Sequence, residues 1–358
     1  SKAFTTTLLA MLADEKKLHW DDHIQKHLKE FHLSDPLADG DVRLRDLVSH
    51  RTGVGAHDLL WYRAAWDQDE MVRRVGKLPL DKPFRTAMQY QSVMFVAAGQ
   101  AAARAAGEPW DKLVRDRITA PLGMKSTVLT TTDAVANADH AWPHAPGREG
   151  ALQVIPGYVM KEPNAGGSVH SSARDLAPWI QLHLNQGRHG DVQLVSPTNL
   201  KATHAPHITI PVESVLADQH PFTHQMSYAM GWVVQDYRGE LLVSHAGAID
   251  GYRAHITMMP KRGIGWAILA NRHQTRMNLA LSNQIADYFL KAAEHDWRGH
   301  YRQLVEAETF AAQLRETQAE RNRKRGTRPS APLADLAGEF FDPAYGALRI
   351  RLDGDPLP

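Results

Sequence analysis

Phe4, Leu8, Met11 and Leu12 fall at i, i+4, i+7 and i+8, one face of a helix, so a helix is predicted over Lys2 to Leu12 with Lys2 in its first turn. Leu44 to Val48 reads as a short helix, followed by the glycine-punctuated loop Arg51-Thr52-Gly53-Val54-Gly55 and the aromatic pair Trp61-Tyr62. Val93 to Ala106 is a helix of small residues stopped by Gly107-Glu108-Pro109. A further helix, Trp110 to Ile118, stops at Pro121-Leu122-Gly123. Pro163 to Gly167 is a loop leading into a helix capped by Ser171 or Ser172, with Asp175 in its first turn.

From residue 228 the period changes. Gly231 to Asp236, Leu241 to His245, Tyr252 to Met259 and Gly265 to Ala270 are β-rich runs. The turn signals Tyr237-Arg238-Gly239 and Pro260-Lys261-Arg262-Gly263 separate them. Strands so closely spaced pair antiparallel, and a helix over about 276 to 293 covers one face, an α+β pattern. Residues 296 to 332 are charged and read as a linker ending in a basic run, Arg321 to Arg328. After it, Leu348, Ile350 and Leu352 alternate with Arg349, Arg351 and Asp353, as in a half-buried strand of a second unit.

Composition narrows the function. The 358 residues carry 41 Lys and Arg against 40 Asp and Glu, a net charge of +1, which excludes reliance on bulk positive charge to bind nucleic acid or an anionic membrane. Cysteine is absent, so disulfide scaffolds, Cys-zinc sites and thiol nucleophiles are excluded together. The longest apolar stretch, Val93 to Ala106, is interrupted by Gln100 and Arg104, so no membrane span is expected.

Three clusters can carry chemistry: Lys2 near a helix start, Tyr90-Gln91-Ser92 before a helix, and His245-Ala246-Gly247 on a strand. Taken singly, Lys2 reads as a solvated lysine, Tyr90 as a half-buried core residue and His245 as a hydrogen-bonded sheet histidine. Together, and in this order, they make the sequence resemble the serine β-lactamase and penicillin-binding-protein-like hydrolases of the class C β-lactamase and esterase type. That family places Ser-x-x-Lys on a helix, Tyr-x-Asn in a loop and Lys-Thr-Gly or His-x-Gly on a strand. The resemblance extends over Leu44 to Gly53, Pro121 to Met124, Ala165 to Gly167 with Ser171 to Leu176, and His245 to Gly251.

The resemblance implies a domain over 1–295, an antiparallel sheet flanked by helices with a mainly helical subdomain, its upstream strands outside the chain. The 296–332 linker then leads to 333–358, the start of a small β module. A serine hydroxyl needs a base, and a lysine three residues on along a helix faces the same side. Tyr90 would pass the proton to the leaving group. Backbone N–H groups of the nucleophile and of Ala248 would form the oxyanion hole, and Gly247 would let substrate approach the strand. The implied reaction is acyl transfer through an acyl-enzyme on an ester, a D-amino-acid peptide or a β-lactam. The expected partner is a small-molecule or peptide substrate, with no cofactor, metal or nucleic acid. The expected location is periplasmic or secreted. The alternative is a non-catalytic relative that binds peptidoglycan-like or peptide ligands in the same cleft.

Three departures accompany the resemblance. With Lys2 as the motif lysine, its serine falls three residues earlier, outside residues 1–358, so the chain is expected to be a fragment without its nucleophile. Ser92 stands where the family has Asn, a shorter reach for hydrogen bonding. His245 replaces a lysine, and an imidazole titrating near pH 6.5 is expected to make KM for anionic substrates rise through that region. His19, His23 and His27 recur every four residues but lack the Glu of a His-Glu-x-x-His site, and read as surface imidazoles. Gly166-Gly167-Ser168-Val169-His170 resembles a nucleophile elbow but has His170 where a glycine is needed.

Overall fold

Helix α1, Lys2–Asp14, crosses the middle of the protein in the computed structural model, which describes residues 1–147, 150–160 and 162–352. The sequence pattern predicts one buried face, yet every residue from Lys2 to Leu12 is buried. Threonine makes this tolerable. The Thr6 hydroxyl donates to Ala3 O at 3.1 Å and the Thr5 hydroxyl to Ala165 O at 3.0 Å, so most of the polar side of the helix leaves water with partners. Helices α2 (Leu44–Val48) and α3 (Gln68–Val75) pack on α4 (Ser92–Ala106), which together with α5 (Ala173–Leu184) packs against α1. The alanines of α4 let it pack close to α1, its Gly99 leaves room for Ala165 and Trp110, and the Phe4 ring stacks on Trp179 of α5 at 3.9 Å. Ser172 caps α5 by accepting from Asp175 N.

The sheet has six strands, all paired antiparallel: β1 (Ile208–Thr209), β2 (Met226–Tyr228), β3 (Val233–Tyr237), β4 (Glu240–Ile249), β5 (Tyr252–Met259) and β6 (Ile264–Ala270). Its order is sequential, β6-β5-β4-β3-β2-β1, as hairpin connections dictate. β1 and β2 escape the sequence reading because two or three residues are too few to display a period of two. Along β4 and β5, side chains alternate between faces. Val243 and Met258 join the core around α1, while Leu242 and Met259 join a smaller core under α6 (Met277–Leu290). The fold is therefore α+β, with helices on both faces of the sheet.

Two segments differ from their sequence reading. The stretch read as a charged linker, 296–332, is helical over Trp297–Asn322, here α7. Its first turn is anchored, since Trp297 and Tyr301 are buried with Tyr237, Leu242, Met259 and Ala286. Past that turn the charged residues lie in water, which is why their composition resembles a linker. The second segment is a two-stranded hairpin, β7 (Gly338–Asp342) and β8 (Gly346–Ile350), with Phe340 opposite Leu348. Leu348, Ile350 and Leu352 do not form the predicted half-buried face; all three are exposed, because a two-stranded ribbon has no layer to bury them. Asp353 and the rest of 353–358 lie outside the described residues.

Candidate active site

The first turn of α1, the start of α4 and the middle of β4 bring Lys2, Tyr90, Ser92 and His245 to one place. Lys2 is buried, and its Nζ donates to Ser92 Oγ at 3.2 Å and to Gly166 O at 2.9 Å. The ammonium stands 4.8 Å from the centre of the Tyr90 ring and 5.4 Å from that of Phe95, both within range of a cation–π attraction. Ser92 opens α4 and is buried, whereas Tyr90 is 41% exposed, facing the open side of the site. Gln91 between them is fully buried. It accepts from the Thr52 hydroxyl at 3.1 Å, and its side-chain amide donates to Val54 O. The Tyr-x-Ser segment is thus pinned by its middle residue.

Glycine is required where backbones crowd Lys2. A Cβ on Gly166 would lie 2.9 Å from Ser92 O, so the carbonyl that receives the lysine could not come as near with any larger residue. Gly231, at φ +76°, donates its N–H to Val48 O, and a Cβ there would meet Lys2 O at 3.0 Å.

His245 lies on β4 two residues beyond Val243, hence on the face turned to α1. Its Nδ1 is 2.6 Å from Ala246 O, an atom that can only accept, so Nδ1 carries the proton. Nε2 is then the acceptor for the Tyr228 hydroxyl at 2.9 Å. Burial, and then the Lys2 charge, push this imidazole down to about 3, while burial holds the Tyr228 phenol well above its ordinary value. The expected titration of His245 near pH 6.5 is therefore replaced by a ring that stays neutral through the assay range.

His50 completes the cluster and was not among the predicted site residues. Its Nδ1 accepts from Gln91 N at 3.2 Å, so Nε2 holds its proton; that atom is buried without a protein partner among the described residues. The ring lies 4.3 Å from Tyr90 and 4.5 Å from Tyr228, centre to centre. Burial, followed by the charge on Lys2, holds its pKa well below that of a free imidazole. The signal was present in the 44–53 motif, but only the fold turns His50 toward Tyr90. Tyr228 had no comparable signal, because β2 is three residues long.

On β4, Ala248 is exposed, and a Cβ on Gly247 would meet only Ala254 Cβ at 3.4 Å. Nothing in the fold demands glycine at 247, so its bare backbone leaves the strand open to a ligand. Beside the site lies a cavity of about 820 Å³ walled by Trp61, Trp66, Met71, Tyr158 and Met160. Asn164 joins the two: it lines the cavity, and its Oδ1 accepts at 3.0 Å from the N–H of Gly166, the residue whose carbonyl receives the lysine. The elbow-like run at Gly166-Gly167 thus serves Lys2 through a carbonyl. Among the described residues, no group of three or more His, Cys, Asp or Glu is placed to hold a metal, and no helix is long and apolar enough to cross a membrane.

A protein-family model described as Beta-lactamase matches residues 1–288. Unguisins hydrolase ungD of Aspergillus violaceofuscus is 28% identical over 381 residues, covering 99% of this chain and 67% of its own length. Penicillin-binding protein 4 of Amycolatopsis lactamdurans is 24% identical over 276 residues, or 76% of this chain and 70% of that protein. Among solved structures, the octameric penicillin-binding protein homologue from Pyrococcus abyssi superposes with a TM-score of 0.69 at 21% identity, covering 81% of this chain and 64% of that one. The D-amino acid amidase from Ochrobactrum anthropi SV3, complexed with D-phenylalanine, gives 0.62 at 20% identity over 81% and 82%.

Proposed function

Because the chain belongs to the Beta-lactamase family, we propose that it supplies the site of a serine acyl hydrolase that forms an acyl-enzyme on an ester, a D-amino-acid amide or peptide, or a β-lactam. The observation that carries this reading is the buried Lys2 Nζ between Ser92 Oγ and Gly166 O, with the Tyr90 ring over it. A buried lysine aimed at a hydroxyl and a carbonyl beside a solvent-facing tyrosine is costly to keep unless it moves a proton.

In this reading the acylated serine stands three residues before Lys2, outside residues 1–358. Lys2 in its neutral amine form takes the serine proton and becomes the ammonium as the serine oxygen bonds the substrate's carbonyl carbon. The negative charge on the resulting tetrahedral oxygen is met by backbone N–H groups of the serine and of Ala248. Tyr90 gives its hydroxyl proton to the leaving oxygen or nitrogen as the carbonyl reforms and that bond breaks, and it is reprotonated by the Lys2 ammonium; water then releases the acyl group by the same route. Ser92 holds the lysine. His245, neutral and accepting from Tyr228, shapes the strand and offers the substrate no fixed charge. The cavity of Trp61, Trp66 and Tyr158 receives the substrate's side chain.

The test uses the intact protein with a fluorophosphonate probe, peptide mapping, and turnover of p-nitrophenyl esters, D-amino-acid p-nitroanilides and nitrocefin. Label on the serine three residues before Lys2, lost together with turnover in Lys2→Met, is the expected result. Label elsewhere, or full turnover in Lys2→Met, would overturn the reading. Residues 1–358 alone should not label above a heat-denatured control.

A further inference from the structure

Within residues 333–352 the one buried residue is Ala344, at the tip of the β7–β8 hairpin. The tip is pre-shaped, because Asp342 Oδ1 accepts from both Ala344 N and Tyr345 N at 2.8 Å. Ala344 packs into the main core, and its carbonyl accepts from Arg74 Nη1 at 2.7 Å. The same guanidinium lies 4.1 Å over the Trp66 ring. Tyr345 packs against that core as well, and its hydroxyl is hydrogen bonded to His57 Nδ1 at 2.6 Å.

Among the described residues, the two hydrogen bonds that tie the hairpin to distant parts of the chain end on His57 and Arg74, which do not line the cavity themselves but flank the segment from Trp61 to Arg73 that does. His57 begins the loop that carries Trp61 and Trp66, and Arg74 lies on α3 with Met71. The far side of this loop is fastened too: the Tyr62 hydroxyl donates to Asp250 Oδ2 at 2.5 Å, in the turn that follows β4. The Trp66 side is held locally, with Trp66 Nε1 donating to Leu60 O at 2.7 Å and Gln68 Nε2 to Pro163 O at 2.8 Å, and the hairpin tip adds a brace from a distant part of the chain through the Arg74 guanidinium on the Trp66 ring.

We propose that the hairpin tip is a specificity element, in which Ala344 and Tyr345 hold Arg74 and His57 and so fix the width of the side-chain cavity. The proposal rests on the cavity's being the substrate's side-chain site. A hairpin of two strands with its apolar residues in water has little to gain from its own pairing. Its order is drawn from the wall it braces, and the wall gains from the tip a support additional to its own bonds. Loosening the tip leaves Lys2, Tyr90 and Ser92 in place, because none of them touches this wall, but it lets the Trp66 side move away from a bound ring. Binding of bulky side chains then weakens while the chemical step on a small acyl group does not.

The experiment compares the intact protein with Tyr345→Phe and Arg74→Lys, each of which removes a bond at the tip and keeps bulk or charge. Against p-nitrophenyl phenylacetate, each should raise KM roughly fivefold, the size of one lost hydrogen bond. Against p-nitrophenyl acetate, kcat should stay within about twofold. Hydrogen exchange should speed up over 57–66 and stay unchanged over 245–249. Equal losses on both esters, or exchange over 57–66 that does not change, would overturn the proposal. If the wild type cleaves neither ester, the hydrolase reading fails for esters alone. Phenylacetate binding followed by tryptophan fluorescence then decides the inference: a several-fold weaker affinity in both variants supports it, and unchanged affinity overturns it.

Discussion

Tyr228 donates its hydroxyl to His245 Nε2 at 2.9 Å, and this one bond decides what the histidine of the His-x-Gly run can do. With Nδ1 committed to Ala246 O and Nε2 already accepting, the ring has no proton left to offer a substrate carboxylate. Lysine in the same place would present a permanent cation.

The first prediction concerns this ring. Nitrogen-detected NMR should show His245 as the neutral Nδ1–H tautomer, with no titration between pH 5 and 8, since burial and Lys2 hold it to about 3. KM profiles for anionic and neutral substrates should then run parallel across pH 6.5. A His245 inflection near 6.5 would contradict the geometry.

Gly166→Ala and Gly231→Ala should each damage the site more than the fold. The first forces Ser92 O and the Lys2 acceptor apart, and the second crowds the Lys2 carbonyl at a positive φ. Stability should fall by about 1 to 3 kcal/mol in the second, from backbone strain. Turnover in the intact protein should drop at least tenfold in both, on the premise that a misplacement of an ångström is costly to catalysis. Melting curves beside kcat would expose a purely structural effect.

Asp46 has no exposed surface and receives Arg51 at 2.6 Å, Arg85 at 2.7 Å and the Arg43 N–H at 2.9 Å. Asp46→Ala leaves Arg51 without its carboxylate and Arg85 with Asp41 alone, so a loss of about 3 kcal/mol is expected. Urea midpoints test it, and a change under 1 kcal/mol would show that water replaces the carboxylate.

Acid should weaken the fold earlier than carboxylate pairing would predict. Burial lowers His204 and His255 to about 4, and it holds His183 well below an ordinary histidine. Between pH 6.5 and about 4 these rings are protonated in the unfolded chain and neutral in the folded one. Their stabilisation is complete above pH 6.5 and is lost as pH falls, with a slope of up to about 1.4 kcal/mol per pH unit for each. His183 Nδ1 and His204 Nε2 lie 3.1 Å apart against Trp179 and Trp232, so a proton on both would break the pair. Urea midpoints at pH 7.5, 6 and 5 should decline steadily, and His204→Gln should reduce the decline. A flat series would refute it.

Lys2, Tyr90, Ser92 and His245 were legible as a group because each sits in a short run whose order along the chain carries information. His50 and Tyr228 were not, since a lone histidine after a short helix and a tyrosine in a three-residue strand look like any core residue until pairing sets their direction. The burial of α1 on all sides was hidden by Thr5, Thr6 and Thr7, which read as a polar face. For α7, charge masked a helix anchored by Trp297 and Tyr301, with Leu304 packed beside them. The role of the hairpin was illegible for a different reason: Leu348 and Ile350 advertise a buried face, while the contacts that matter are made by Ala344 and Tyr345 at the turn.

The bond between His57 and Tyr345 joins residues 288 positions apart. During synthesis the lysine, tyrosine and serine of the site can assemble long before Tyr345 leaves the ribosome, whereas the wall beside them cannot. A nascent or prematurely terminated product without Tyr345 would carry these chemical groups beside an unbraced pocket, so reactivity would precede selectivity along the chain.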